Sequence, residues 1–214
     1  MEVVKKQNME FKDTIGIFPN AFTESECNSL ISKFDYENDL NNTIIGTSGA
    51  GIDTKIKKTK DYEILHSPGT GNASLSSMVM NGFNKTLSDG YLEKYPHRDI
   101  FDHHFLVNGK CSYPLLQIQK YDKNEGHYNA WHVEKEDVNT SRRLFVFILY
   151  LNTVKKGGET GFLFKEKGAD DFFKVKPEIG KLIIHPASWP YIHKGYMPES
   201  SDKYILTTWL EFTS

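Results

Sequence analysis

The 214-residue sequence predicts a mainly β protein of the α+β class, a sandwich or barrel with helices packed outside it. Three features carry this reading. After Pro114 the chain becomes a run of short segments rich in β-branched and aromatic residues, separated by Gly, Pro, Asp or Lys-rich turns. Before Pro114, two stretches repeat apolar residues at helical spacing. Between those two lies a long polar stretch with neither pattern.

Residues 14–18 (TIGIF) read as a short strand that stops at Pro19. Thr23 and Glu26 then form a capping box, with each side chain able to satisfy the other's backbone N–H. Cys27, Leu30, Ile31 and Phe34 follow at i, i+3, i+4 and i+7, one face of a short helix. Residues 35–71 are rich in Asn, Gly, Thr and Ser, and their length points to a lid or binding loop. A second helix is expected from about Asn72, with Leu75, Met78, Val79, Gly82, Phe83, Thr86 and Leu87 on one face, ending near Tyr95 ahead of Pro96. Strands are expected at 115–121, 143–152, 158–164, 172–176, 181–185 and 203–210. There is no internal repeat, and the length suits one domain. Residues 1–114 would supply helical support and lid loops, and 115–214 the barrel core.

A formal charge of −2 provides no global attraction to nucleic acid or to an anionic membrane. The one basic cluster, Lys55, Lys57, Lys58 and Lys60, reads as a solvated loop. The first residues lack the apolar core of a signal peptide, and no apolar run approaches spanning length, so a soluble, cytoplasmic protein is expected. Cys27 and Cys111 allow at most one internal disulfide, and nothing in their setting demands it.

The chemistry concentrates at His132 and Glu134, which stand as H-V-E just after a loop. In an extended segment i and i+2 point to the same side, so one imidazole and one carboxylate can face a common point. His193, on a late strand, is placed to add the third donor. Two histidines and one carboxylate on one face of a metal leave the opposite positions open, the facial triad of non-haem Fe(II) oxygenases. Of the other six histidines, His66, His97, His103, His104, His127 and His185 have weaker claims. Adjacent His103 and His104 would point to opposite sides of a strand. Lys203 follows His193 by ten residues, and alternation puts Lys203, Ile205, Thr207 and Trp209 on one face of the last strand. A lysine pointing into the interior is costly unless an anion meets it there.

Four stretches together resemble the 2-oxoglutarate/Fe(II)-dependent dioxygenase superfamily, in its prolyl 4-hydroxylase-like branch. They are IFPNAFTESECNSLI, QIQKYDKNEGHYNAWHVE, LYLNTVKKGGETGFLF, and VKPEIGKLIIHPAS followed by HKG and KYILTTW. The resemblance covers roughly residues 15–34 and 115–211. It implies a double-stranded β-helix, a jelly-roll or cupin-like barrel, with iron inside one end. His132, Glu134 and His193 would hold Fe(II), and 2-oxoglutarate would chelate that iron. Lys203, with the hydroxyls of Tyr121 and Thr160, would take its far carboxylate, and Trp209 would wall the same pocket. It further implies O₂ as co-substrate, ascorbate as an accessory reductant, and hydroxylation of a C–H bond with release of succinate and CO₂. A peptidyl proline is the substrate it favours, with a free amino acid or other small molecule as the alternative.

The chain departs from the family pattern at two places. The carboxylate ligand, usually aspartate, is Glu134, one methylene longer. Before His132 the usual tyrosine spacing is not kept, since Asn129 and Ala130 occupy that region. Two other readings compete. A zinc hydrolase also suits two histidines and a glutamate, but the chain has no H-E-x-x-H helix to supply a base. A non-enzymatic barrel could instead bind a ligand or partner through residues 35–71.

Overall fold

The computed structural model describes residues 9–49, 51–64, 72–95, 99, 110–163 and 172–213. In chain order its elements are β1 (Glu10–Lys12), β2 (Ile15–Phe18), α1 (Glu24–Asp39), β3 (Ile44–Ile45), β4 (Lys57–Lys58), β5 (Lys60–Ile64) and α2 (Ala73–Thr86). After these come β6 (Cys111–Ser112), β7 (Leu116–Tyr121), β8 (His127–His132), β9 (Arg143–Tyr150) and β10 (Thr160–Leu163). The last are β11 (Phe172–Val175), β12 (Leu182–Pro186), β13 (Ile192–Gly195) and β14 (Lys203–Phe212). Among the described residues the strands form two antiparallel sheets. The larger runs β1-β2-β12-β9-β14-β7-β5-β3, with β6 on β14, and the smaller runs β11-β10-β13-β8-β4.

The period-2 alternation of the central strands explains the layering, because each face of the large sheet buries a different set. Phe147 and Leu149 of β9, Leu182 and Ile184 of β12, and Leu206 and Leu210 of β14 pack with Cys27, Leu30 and Phe34 of α1 and with Val79 and Phe83 of α2. Val146, Ile148 and Tyr150 of β9, Ile183 of β12 and Ile205 of β14 face the other way. They meet Phe162 and Val175 of the small sheet. Strand β9 is thus apolar on both faces, and its last five residues are all buried. The expected mainly β barrel with helices outside it is therefore present, as a double-stranded β-helix.

Helix α1 begins where the capping box puts it. The Thr23 N–H donates to Glu26 Oε2 at 2.8 Å, and the Glu26 N–H donates to Thr23 Oγ1 at 3.2 Å. Helix α2 starts after Asn72 and gives way at Leu87 to a π turn and then a 3₁₀ turn that ends at Lys94.

The polar stretch 35–71 differs from its expectation as one long loop. It contains the end of α1 and the strands β3, β4 and β5, with residues 50 and 65–71 outside the described set. Strand β5 pairs with β7 and β4 pairs with β8, so this segment joins an edge of each sheet. Strands of two residues carry no readable period, which is why composition alone did not reveal them. Lys57 also departs from the solvated-loop reading. It is buried and donates to Asp61 at 3.0 Å, while Lys58 reaches Glu125 at 2.6 Å and Lys60 reaches Asp122 at 3.7 Å. Both cysteines are free. Among the described residues no helix is long and apolar enough to cross a membrane.

Candidate metal centre

Strands β8 and β13 pair so that His132 and His193 are direct cross-strand partners. Glu134 lies two residues past His132, just beyond β8, where its backbone N–H donates to the Ala187 carbonyl at 3.1 Å. The ligand atoms of His132, Glu134 and His193 all fall within 4.8 Å of one another. Each histidine Nε2 is 3.4 Å from Glu134 Oε1. Two donors, each about 2 Å from one ion, have a separation of this order.

The far side of each imidazole explains why the near side is available. His132 Nδ1 meets the Ala130 carbonyl at 3.0 Å, and His193 Nδ1 meets the Tyr191 carbonyl at 3.2 Å. A carbonyl only accepts, so Nδ1 carries a proton and each ring turns its Nε2 toward Glu134, where it can hold either a proton or a metal. Two ring nitrogens and a carboxylate oxygen converging in a buried space need a proton or a cation between them. The donor set therefore fits a divalent metal, with the backbone carbonyls orienting both imidazoles. Tyr128 stacks on His132 with ring centroids 3.9 Å apart.

Electrostatics agree with an ionised site. Burial would raise the Glu134 carboxyl, but the two imidazoles facing it hold it well below the usual carboxylate range. Burial and the neighbouring His132 push the His193 imidazole down, against the pull of Glu134. His185, behind His193 with ring centroids 4.9 Å apart, is pushed down to about 3, chiefly by burial. His127 sits at the start of β8, bonded to the Glu125 and Lys55 carbonyls, away from the triad. His66, His97, His103 and His104 lie outside the described residues.

A second polar group lies deeper between the sheets. Lys203 opens β14 opposite Tyr121 and is 1% exposed. Its Nζ donates to the Gly158 carbonyl at 3.2 Å and stands 3.7 Å from the centre of the Tyr121 ring. Gly157 and Gly158 make this approach possible. Both have positive φ, and a Cβ on Gly157 would stand 2.4 Å from the Met197 carbonyl oxygen. Tyr121 lies against Gly195, the cross-strand partner of Thr160. Lys203, Tyr121 and Thr160 are thus gathered at one place. Tyr150, which sequence reasoning missed, joins them through a 2.6 Å contact from its hydroxyl to Thr160 Oγ1.

Trp209 is not there. It stands six residues beyond Lys203 on β14, about 20 Å of strand at ~3.3 Å per residue. Its indole N–H donates to Glu134 Oε2 at 3.0 Å. Arg143, the first residue of β9 and also missed, donates through Nη1 to the same oxygen at 3.2 Å. Its guanidinium lies 3.8 Å over the Trp209 ring. The arginine carries no motif of its own, and only the β9–β14 register brings it to the triad. A cavity of about 320 Å³ opens beside these groups, lined among others by Lys57, Glu63, Gln117, Gln119, Tyr128 and Glu134.

Residues 116–211 match the family model of the 2OG-Fe(II) oxygenase superfamily. Prolyl 4-hydroxylase 13 of Arabidopsis thaliana is 29% identical over 115 residues, 46% of this chain and 42% of that protein. Probable prolyl 4-hydroxylase 4 of the same plant is 22% identical over 98% of this chain and 71% of its own length. The first of these relatives is thus matched over less than half its length. Among solved structures, a Pseudomonas putida prolyl-4-hydroxylase superposes with a TM-score of 0.64 at 16% identity, covering 92% of each chain. A Trichoplax adhaerens prolyl hydroxylase, solved with a hypoxia inducible factor oxygen degradation domain peptide fragment, gives 0.69 at 16% identity. That likeness covers 94% of this chain and 84% of the other. The fold is thus shared with these prolyl hydroxylase structures, and the segment similar to the 2OG-Fe(II) oxygenase superfamily model contains His132, Glu134 and His193.

Proposed function

We propose that this chain is an Fe(II)- and 2-oxoglutarate-dependent dioxygenase that hydroxylates a C–H bond of a peptidyl proline, with succinate and CO₂ as co-products. The observation that carries this reading is the convergence of His132, Glu134 and His193, their Nε2 and Oε1 atoms facing one point and both Nδ1 atoms engaged by backbone carbonyls. In this reading residues 1–214 act as one oxygenase domain.

The bound iron would supply activation of O₂ and the oxidising power for C–H cleavage. The residues of this chain supply the rest. His132, Glu134 and His193 would hold the metal and leave positions on it for the co-substrate and O₂, with the substrate seated beside them. Lys203 would provide the buried positive charge for the distal carboxylate of 2-oxoglutarate. The neighbouring hydroxyl-bearing residues are Tyr121, whose hydroxyl donates to Gln119 at 3.0 Å, and Thr160, whose hydroxyl accepts from Tyr150 at 2.6 Å. The apolar wall of Ile148, Phe162, Val175 and Ile205 keeps water from the space between. Ascorbate would act only as an accessory reductant.

A peptide substrate is supported by the Trichoplax neighbour, which was solved with a peptide fragment. A free amino acid or other small molecule is the second reading. The cavity favours it, being small at about 320 Å³ and lined by side-chain amides and charges. Anaerobic addition of Fe(II) and 2-oxoglutarate tests the chemistry through the weak visible charge-transfer band. A succinate-release screen over proline peptides and amino acids, with a one-oxygen mass gain in the product, then tests the substrate. Absence of both the band and succinate would reject the proposal.

A further inference from the structure

Glutamate has one more rotatable bond than aspartate, so a glutamate ligand can withdraw from a metal or swing both oxygens onto it. The surroundings of Glu134 remove both freedoms. Oε1 faces the histidines at 3.4 Å from each Nε2. Oε2 faces the large sheet, where it accepts from Trp209 Nε1 at 3.0 Å and Arg143 Nη1 at 3.2 Å. With two N–H donors on it, Oε2 has little capacity left for an ion.

The donors are themselves fixed. Arg143 Nη1 also reaches the Glu134 backbone carbonyl at 2.9 Å, and Nε reaches Glu211 Oε1 at 3.2 Å. Arg143 and Glu211 are cross-strand partners between β9 and β14, and Trp209 lies on the same face of β14 as Glu211. The guanidinium covers the Trp209 ring, so the arginine is held on its edge and on its face. Glu211 offsets the positive charge of Arg143, which leaves the Glu134 anion free to serve an ion on its other side.

We infer that Arg143 and Trp209 are positioning residues, a two-donor clamp that makes Glu134 a one-oxygen metal ligand and so lets glutamate serve where a shorter aspartate is usual. The inference rests on the oxygenase reading, since it concerns the metal that reading requires. Both residues also line the cavity beside the triad, so a substrate seated there touches the groups that hold the ligand.

Titration of the purified full chain with Co(II) under anaerobic conditions tests the clamp through affinity and through the visible d–d bands, without turnover. Trp209→Phe keeps a ring under Arg143 and deletes one donor. Arg143→Lys keeps the charge and loses the planar fork. Each is expected to weaken Co(II) binding by roughly ten- to a hundredfold and to alter the band pattern. Thermal melting of the same samples confirms that each variant is folded, and either folded variant suffices. A merely structural role would lower the melting temperature and leave the affinity and bands of the folded protein unchanged, and that result overturns the inference. Failure of the unsubstituted chain to bind Co(II) at all would instead reject the oxygenase reading.

Discussion

Lys203 offers the sharpest test of the proposed co-substrate pocket. It is 1% exposed, and among the described residues no carboxylate lies within ion-pair distance of its Nζ. Burial pushes its ammonium down from 10.5 to about 7, with only the more distant Glu159 pulling upward. That change corresponds to about 5 kcal/mol of lost preference for the charged form, at ~1.4 kcal/mol for each tenfold. The folded pKa is lowered, so between about pH 7 and 10.5 the unfolded chain holds a proton that the folded chain lacks. The unliganded protein should therefore gain stability from this group as the pH rises through that window.

An incoming dicarboxylate reverses the balance. Its far carboxylate restores the ammonium, so binding takes up a proton above pH 7 and none well below it. The affinity for 2-oxoglutarate should be flat below about pH 7 and fall close to tenfold per pH unit above it. Calorimetric titration of the Mn(II)-loaded protein, without O₂ and in buffers of different ionisation enthalpy, counts the protons directly. Lys203→Met should weaken 2-oxoglutarate binding by at least about a hundredfold and abolish the proton uptake, given a buried charge-assisted pair worth ~3 kcal/mol or more. Equal affinity at pH 7 and pH 9 (about two units apart), with no proton uptake, would refute the pocket assignment.

Other outcomes follow from single contacts. His132→Ala and His193→Ala should each abolish stoichiometric metal binding while the melting transition persists, as checked by metal analysis after dialysis. Lys57→Met should cost ~3–5 kcal/mol in urea unfolding by stranding the buried Asp61, and the double change Lys57→Met with Asp61→Leu should recover most of it. Gly157→Ala should destabilise by at least ~1 kcal/mol, and by more if the Met197 carbonyl cannot move, since φ is +73° and that oxygen stands where the methyl would go. Thr23→Ala should cost ~1 kcal/mol by removing the helix cap.

Local period and local chemistry were legible in the amino-acid order before any contact was known. Alternation in KYILTTWL put Lys203 and Ile205 on the inner face, and the capping box at Thr23 marked the start of α1. His-x-Glu in an extended segment set two donors to one side, because a pleated strand returns to the same face every second residue. His193 could be offered only as a third donor of suitable type. Its placement needed the β8–β13 pairing, which makes it the cross-strand partner of His132.

Contacts between distant segments are fixed by how the strands pair and the sheets close. Trp209 shares a face with Lys203, yet six residues of strand carry its indole to Glu134. Arg143 looks like any charged residue at a strand start until the β9–β14 register lays it over Trp209 and against Glu211. Lys57 sits in a run of solvated-looking lysines, and only the pairing of β4 with β8 and of β5 with β7 buries it against Asp61. Sequence periodicity reports which way a side chain points, whereas the partner it meets is set by how the sheets close.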